Sequence, residues 1–136
     1  MEEIIESFIK IHLLRDVRAA AYEAIDGAAE VERLKYITTG AGQSLTYGRK
    51  EQEARDYQAA PSPAPENFPF LTTQSTMTGQ TLTEVAADII TASDAWLQIG
   101  AWIEGRRMKA KIDIAAATTR SEITTILEQI DWSLPE

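Results

Sequence analysis

Four of the chain's five prolines, Pro61, Pro63, Pro65 and Pro69, fall inside the single run PSPAPENFPF, residues 61–70, and the fifth is Pro135. Proline removes a backbone donor and pushes the residue before it toward extended geometry, so this run cannot lie inside a regular element. What it leaves on either side is two stretches free of proline, each long enough for extended helices. The sequence therefore reads as all-α: a long helical hairpin or bundle with a proline-rich linker, oligomeric through its long helices. Its expected parts are an N-terminal region 1–60, a proline- and threonine-rich linker 61–80, and a C-terminal region 81–136.

The first region carries apolar residues at helical intervals from about Glu2 to Lys35. One stripe is Ile4, Phe8, Ile11, Tyr22 and Ile25. A second, heptad-like seam runs through Leu14, Val17, Ala21, Ala24, Ala28 and Val31, small enough to let a neighbouring helix approach closely. Gly27 weakens the helix locally by about 1 kcal/mol relative to alanine. Thr38, Thr39, Gly40, Ala41 and Gly42 then stop the helix, because glycines can adopt positive φ. Ser44 is the expected N-cap of a helix over about 45–59, in which Glu51 and Arg55 form an i,i+4 pair. A hairpin of the two helices follows.

Within the linker, Phe68, Phe70 and Leu71 are expected to dock on helices, and residues 71–80, rich in threonine and serine, to be irregular or briefly extended. Thr81 with Glu84 is a capping box, and so is Thr119 with Glu122. Between them the seam Leu82, Val85, Ile89, Ala92, Trp96, Ile99, Ile103, Arg106, Ala110, Asp113 and Ala117 describes one helix of about 36 residues. A second face, Ala86, Ile90, Leu97, Ala101, Met108 and Ile112, makes its first half apolar nearly all round. A short last helix through Ile123, Ile126, Leu127 and Ile130 ends near Trp132.

Chemistry is sparse. The chain has no cysteine and one histidine, His12, which lies on the first helix with no partner for metal or nucleophilic work. Glu2, Glu3 and Glu6 suit the positive end of a helix dipole. Gly40-Ala41-Gly42 resembles a phosphate loop only in its glycines, since the preceding element is helical and no Gly-Lys-Ser/Thr follows. The reading is accordingly non-enzymatic, with no catalytic residues, no metal ligands and no cofactor. The net charge of -8 argues against a nucleic-acid binder, although Arg106, Arg107, Lys109 and Lys111 form one basic cluster. Its ordinary meaning is a solvated helix end, with inter-subunit ion pairs to the acidic first helix as a further option. No apolar run is long enough for a membrane span, and the start lacks the pattern of a signal peptide.

The segment YITTGAGQSLTYGRKEQEA, residues 36–54, resembles a recurring segment in small tail-associated proteins of tailed bacteriophages and prophages. There a long alanine-rich helix runs into a tyrosine-isoleucine-threonine-x-glycine-x-glycine-glutamine turn. Residues 19–35 are similar to the helix before that turn, and residues 84–104 to a tryptophan-bearing helix after it. The resemblance implies that Tyr36, Gly40, Gly42, Gln43, Tyr47 and Lys50 set the turn and its packing. It further implies a structural subunit of the tail fibre or baseplate, made in the host cytoplasm and carried in the virion, whose partners are other tail or fibre proteins. Three copies are the preferred homo-oligomer, because tail fibres are commonly trimeric. The candidate interface residues are Val17, Ala21, Ala24, Ala28, Val31, Trp96, Trp102 and Trp132. The alternative is a tail-fibre assembly chaperone absent from the finished particle, with Trp132 and Leu134 exposed. A third reading is a small regulatory or nucleic-acid-binding helical protein resting on Arg106 to Lys111.

Overall fold

A computed structural model of the chain describes residues 1–38 and 40–136. Among them are five α-helices: α1 (Glu2–Arg33), α2 (Ala41–Ala59), α3 (Pro69–Thr78), α4 (Leu82–Ala116) and α5 (Arg120–Glu128), with a 3-10 turn at Pro65–Asn67. They form two compact units. One comprises Met1–Tyr36 and Ile99–Glu136, the other Ile37–Gln98, so the units cut across the order along the chain that the proline run suggested.

In the first unit, α1 packs on the last turns of α4 and on α5. Ala21 and Ile25 of α1 are buried with Ala110, Ile114, Ala117 and Ile123, and Leu14, Val17, Tyr22, Ile126, Leu127 and Ile130 lie against them. The spacing of Ala21, Ile25 and Ala29 is one helical stripe. Alanine at two of the three positions keeps α1 close to its neighbours. Of the two seams read from the sequence, the structure uses a line between them: Ile25 comes from one and Ala21 from the other. Ile4, Phe8 and Ile11 are exposed, as are Ala24 and Val31.

The second unit closes around Ala54 of α2, Phe68 just before α3, Leu71 of α3, and Val85 and Ala86 of α4, with Tyr57, Leu82, Ile89 and Ile90 at its edge. Tyr57 meets Phe68 edge-on at 5.4 Å between centroids, a favourable aromatic geometry. Phe68 and Leu71 dock as expected, while Phe70 stays exposed.

Residues 71–80 are not irregular, since most of them form α3. Pro69 stands in its first turn, where a missing N–H costs nothing. Glu53 of α2 accepts from the amides of Phe70 and Leu71 at 2.8 and 3.2 Å, which satisfies two of the free donors at the helix start. The hydroxyls of Thr76 and Thr78 turn back onto the carbonyls of Thr72 and Gln74. Gly79 ends the helix at φ 79°. Burial of Leu71 and the borrowed cap outweigh the low helix propensity of the threonines.

The turn before α2 also differs in detail. Thr39 lies outside the described residues. Gly40, at φ 116°, is the residue before the helix, and α2 starts at Ala41. Gly42 and Ser44 are therefore inside the helix, and the Ser44 hydroxyl donates back to the Gly40 carbonyl at 3.3 Å rather than capping. A single glycine at positive φ is enough to turn the chain, so the second is free to be helical.

Both capping boxes are present, the one at Thr81 in its regular reciprocal form and the one at Thr119 in an altered form. Thr81 Oγ1 accepts from the Glu84 amide at 3.2 Å, and Glu84 accepts from the Thr81 amide at 2.8 Å. Thr119 Oγ1 accepts from the Glu122 amide at 3.1 Å, but Glu122 reaches one residue further back, to the amide of Thr118 at 2.8 Å.

Candidate interaction surfaces

The basic cluster of α4 is the place where the sequence allowed chemistry with a partner, and within the first unit three of its four cations are paired with carboxylates of the chain itself. Arg107 makes two 2.8 Å hydrogen bonds to the carboxylate of Glu104, one turn earlier, and a third to Asp26 of α1. Lys111 reaches the same Asp26 at 2.9 Å, and Arg33 of α1 donates to Glu104 at 3.2 Å. Lys109 pairs with Asp113 at 2.6 Å. The anticipated ion pairs between this cluster and the first helix thus exist, but inside one chain.

Asp26 joins two of the α4 cations to α1. Hydrogen bonds from Lys111 and Arg107 hold its carboxyl below the usual aspartate range. Arg107 holds Glu104 below its usual range in the same way, and the two carboxylates raise Arg107 further. The remaining cation, Arg106, lies 4.6 Å from the ring centre of Trp102, and its Nε is buried without a hydrogen-bond partner.

Trp102 is half-buried and donates from Nε1 to the carbonyl of Ser133 at 2.6 Å, fixing the last residues against α4. Asp131 accepts from the Ser133 amide, and that serine draws the Asp131 carboxyl below its usual range. Trp132 and Leu134 are consequently half-buried, as is Trp96 in the second unit. Of the other interface candidates, Ala21 is buried in the core, Val17 and Ala28 are half-buried, and Ala24 and Val31 are exposed. The seam is used up within the chain at Ala21.

The turn residues are placed by the local backbone. Tyr36 follows α1 and is exposed; Gly40 precedes α2; Gly42, Gln43, Tyr47 and Lys50 lie on α2, with Gln43 and Tyr47 exposed and Lys50 half-buried. Among the described residues, the side chains of Tyr36, Gln43, Tyr47 and Lys50 make no hydrogen bond or ion pair.

A shallow, open depression of about 500 Å³ lies between the end of α4 and α5, lined by Asp113, Thr119, Glu122 and Ile126 among others. Among the described residues no group of three His, Cys, Asp or Glu side chains is placed to hold a metal ion. No described helix is long and apolar enough to cross a membrane.

The large exposed apolar feature is the start of α1. Met1, Ile4, Ile5, Phe8, Ile9, Ile11 and Leu13 are each at least 50% exposed. Monomeric proteins seldom leave so many neighbouring aliphatic and aromatic side chains in water. The sequence placed Ile4, Phe8 and Ile11 on a stripe, and the apolar period alone could not say that no element of the first unit covers it.

Comparison of the chain with family models, with curated proteins and with solved structures finds no match.

Proposed function

We propose that the protein is a structural component of a bacteriophage tail, a fibre- or baseplate-associated subunit that acts by binding other proteins rather than by catalysis. The observation that carries the binding role is the uncovered apolar start of α1, from Ile4 to Leu13, whose burial against a partner would remove from water several side chains worth about 1.5–3 kcal/mol each. The tail assignment rests on the similarity of residues 36–54 to the glycine-turn segment of small tail proteins, and the trimer expected of a fibre rests on it alone.

The chaperone alternative expects Trp132 and Leu134 to be exposed for capture of an unfinished fibre. Both are half-buried, and the hydrogen bond from Trp102 to Ser133 ties the residue between them. The nucleic-acid reading needs free cations on α4, and Arg107, Lys109 and Lys111 are all paired with carboxylates. The structural role is therefore the reading that these contacts support best.

Tailed particles purified from the source of the chain provide the test. Peptides of this chain in washed, intact particles are the expected result. Peptides in assembly intermediates alone would transfer the assignment to the chaperone, and their absence from both would overturn the tail reading.

A further inference from the structure

The second half of α4 and the end of α5 enclose a cleft of about 200 Å³. Arg106, Lys109, Ala110 and Asp113 line it from one face of α4, at helical spacings of three, four and seven residues. Ile126, Gln129, Ile130 and Asp131 form the other wall. Its four charges divide into a pair that is satisfied and a pair that is not. Lys109 and Asp113 are joined at 2.6 Å. Arg106 and Asp131 line the same small space, yet among the described residues neither is part of an ion pair.

Asp131 accepts from the Ser133 amide at 2.9 Å, and its carboxyl is held below the usual range by Ser133 and then by the charge of Arg106. Arg106 makes no hydrogen bond among the described residues, and its Nε is buried without a partner. Buried polar groups are nearly always bonded, and one that is not calls for a missing partner or a functional reason. The guanidinium is not loose. It lies 4.6 Å from the ring centre of Trp102, which is itself fixed by its bond to the Ser133 carbonyl. A cation with unspent donors is therefore held in one cleft with a carboxylate that it does not reach.

The gap sets the chemistry of what fills it, because a bridging group must accept from Arg106 and donate to Asp131. A simple anion would suit Arg106 but lie against the charges of Asp113 and Asp131, and a simple cation would lie against Arg106 and Lys109. An α-amino acid carries both charges on one small frame. Its carboxylate matches the guanidinium fork, its ammonium group matches the aspartate, and an aliphatic side chain covers Ala110, Ile126 and Ile130.

We propose that this cleft binds a small aliphatic α-amino acid as its zwitterion, with Arg106 holding the carboxylate and Asp131 the ammonium group. The terminal nitrogens of the guanidinium make the contact, because Nε is closed to solvent. The cleft is smaller than most ligand pockets, so it takes one such molecule and holds it weakly. The site lies within the first unit and stands whether or not the chain belongs to a tail.

L-Leucine is the probe, titrated into the nitrogen-15-labelled chain while the Arg106 Nε–H signal and the Asp131 amide are followed by NMR. The expected result is a saturable shift of both, with a Kd of roughly 1–10 mM. Isocaproate, which is leucine without its ammonium group, and isoamylamine, which is leucine without its carboxylate, should each bind about tenfold or more weakly, as the loss of one charge-assisted hydrogen bond requires. Arg106→Gln and Asp131→Asn should each weaken leucine binding to the same extent, with the amide signals of α1 unchanged as the record of an intact fold. Equal binding of leucine and either truncated probe would overturn the proposal. So would the absence of a saturable shift, which would leave water as the group in the gap, or undiminished binding by both variants.

Discussion

Arg18 of α1 donates from Nη2 to the carbonyl oxygen of Ala117 at 2.8 Å and from Nε to that of Ile114 at 3.3 Å, so a side chain of the first helix closes the C-terminal end of the fourth. The last carbonyls of a helix have no partner of their own and carry its negative dipole end, and a guanidinium answers both needs. This contact, between residues 96 and 99 positions apart, ties α1 to the end of α4, where Ile114 and Ala117 are buried with Ala21 and Ile25.

Arg18→Ala should lower the unfolding free energy by about 1.5–3 kcal/mol, the range for hydrogen bonds to a charged group. Denaturant titration of both proteins measures it. Arg18→Lys should recover less than half of the loss, because an ammonium cannot span two carbonyls as the guanidinium fork does.

Asp26 links stability to pH. Its folded-state carboxyl is held below the ordinary value of 3.8 by Lys111 and Arg107, so its contribution is fully present above that value and is lost as the pH falls below it. Asp26→Asn should therefore be less stable than wild type at neutral pH, and the two stability curves should converge on acidification. Unfolding midpoints taken from pH 7 down to pH 2 provide the check, and a gap that stays constant with pH would contradict the assignment.

The two glycines at the borders of α2 and α3 should respond in opposite directions to alanine. Gly42 is helical with open space at the position of a Cβ, so Gly42→Ala should be neutral or stabilise by up to about 1 kcal/mol. Gly79 sits at φ 79°, and Gly79→Ala should destabilise by roughly 1–2 kcal/mol through backbone strain alone. Thermal melts of the two variants separate these outcomes.

Core truncation tests each unit by itself. Ile114 and Leu71 are fully buried, one in each unit, and replacement of either by alanine should cost about 2–5 kcal/mol. Amide exchange distinguishes the sites: Ile114→Ala should deprotect α5 first, and Leu71→Ala should deprotect α3.

The long helices were legible because the signals for them are local and redundant. Proline-free stretches, apolar residues at three- and four-residue spacing, and the threonine-glutamate boxes at Thr81 and Thr119 all act within a few turns of the backbone they shape. α3 was not legible, because its threonines and serines read as irregular and its stability comes from Glu53 and from Leu71's burial, both supplied by tertiary contact. The same limit hid Asp26 as the partner of Arg107 and Lys111, residues 81 and 85 positions away. The apolar start of α1 was visible as Ile4, Phe8 and Ile11. That it faces water, and that the alanine seam is divided between core and surface, depends on where α4 and α5 lie.

The measurement that bears most directly on the proposed structural role is the mass in solution, by light scattering over a wide range of concentration at moderate salt. The tail-subunit reading predicts three chains of 15.1 kDa in one particle, at a mass that does not change with concentration. A wild-type mass that remains at a single chain throughout, or that settles at two, would contradict it.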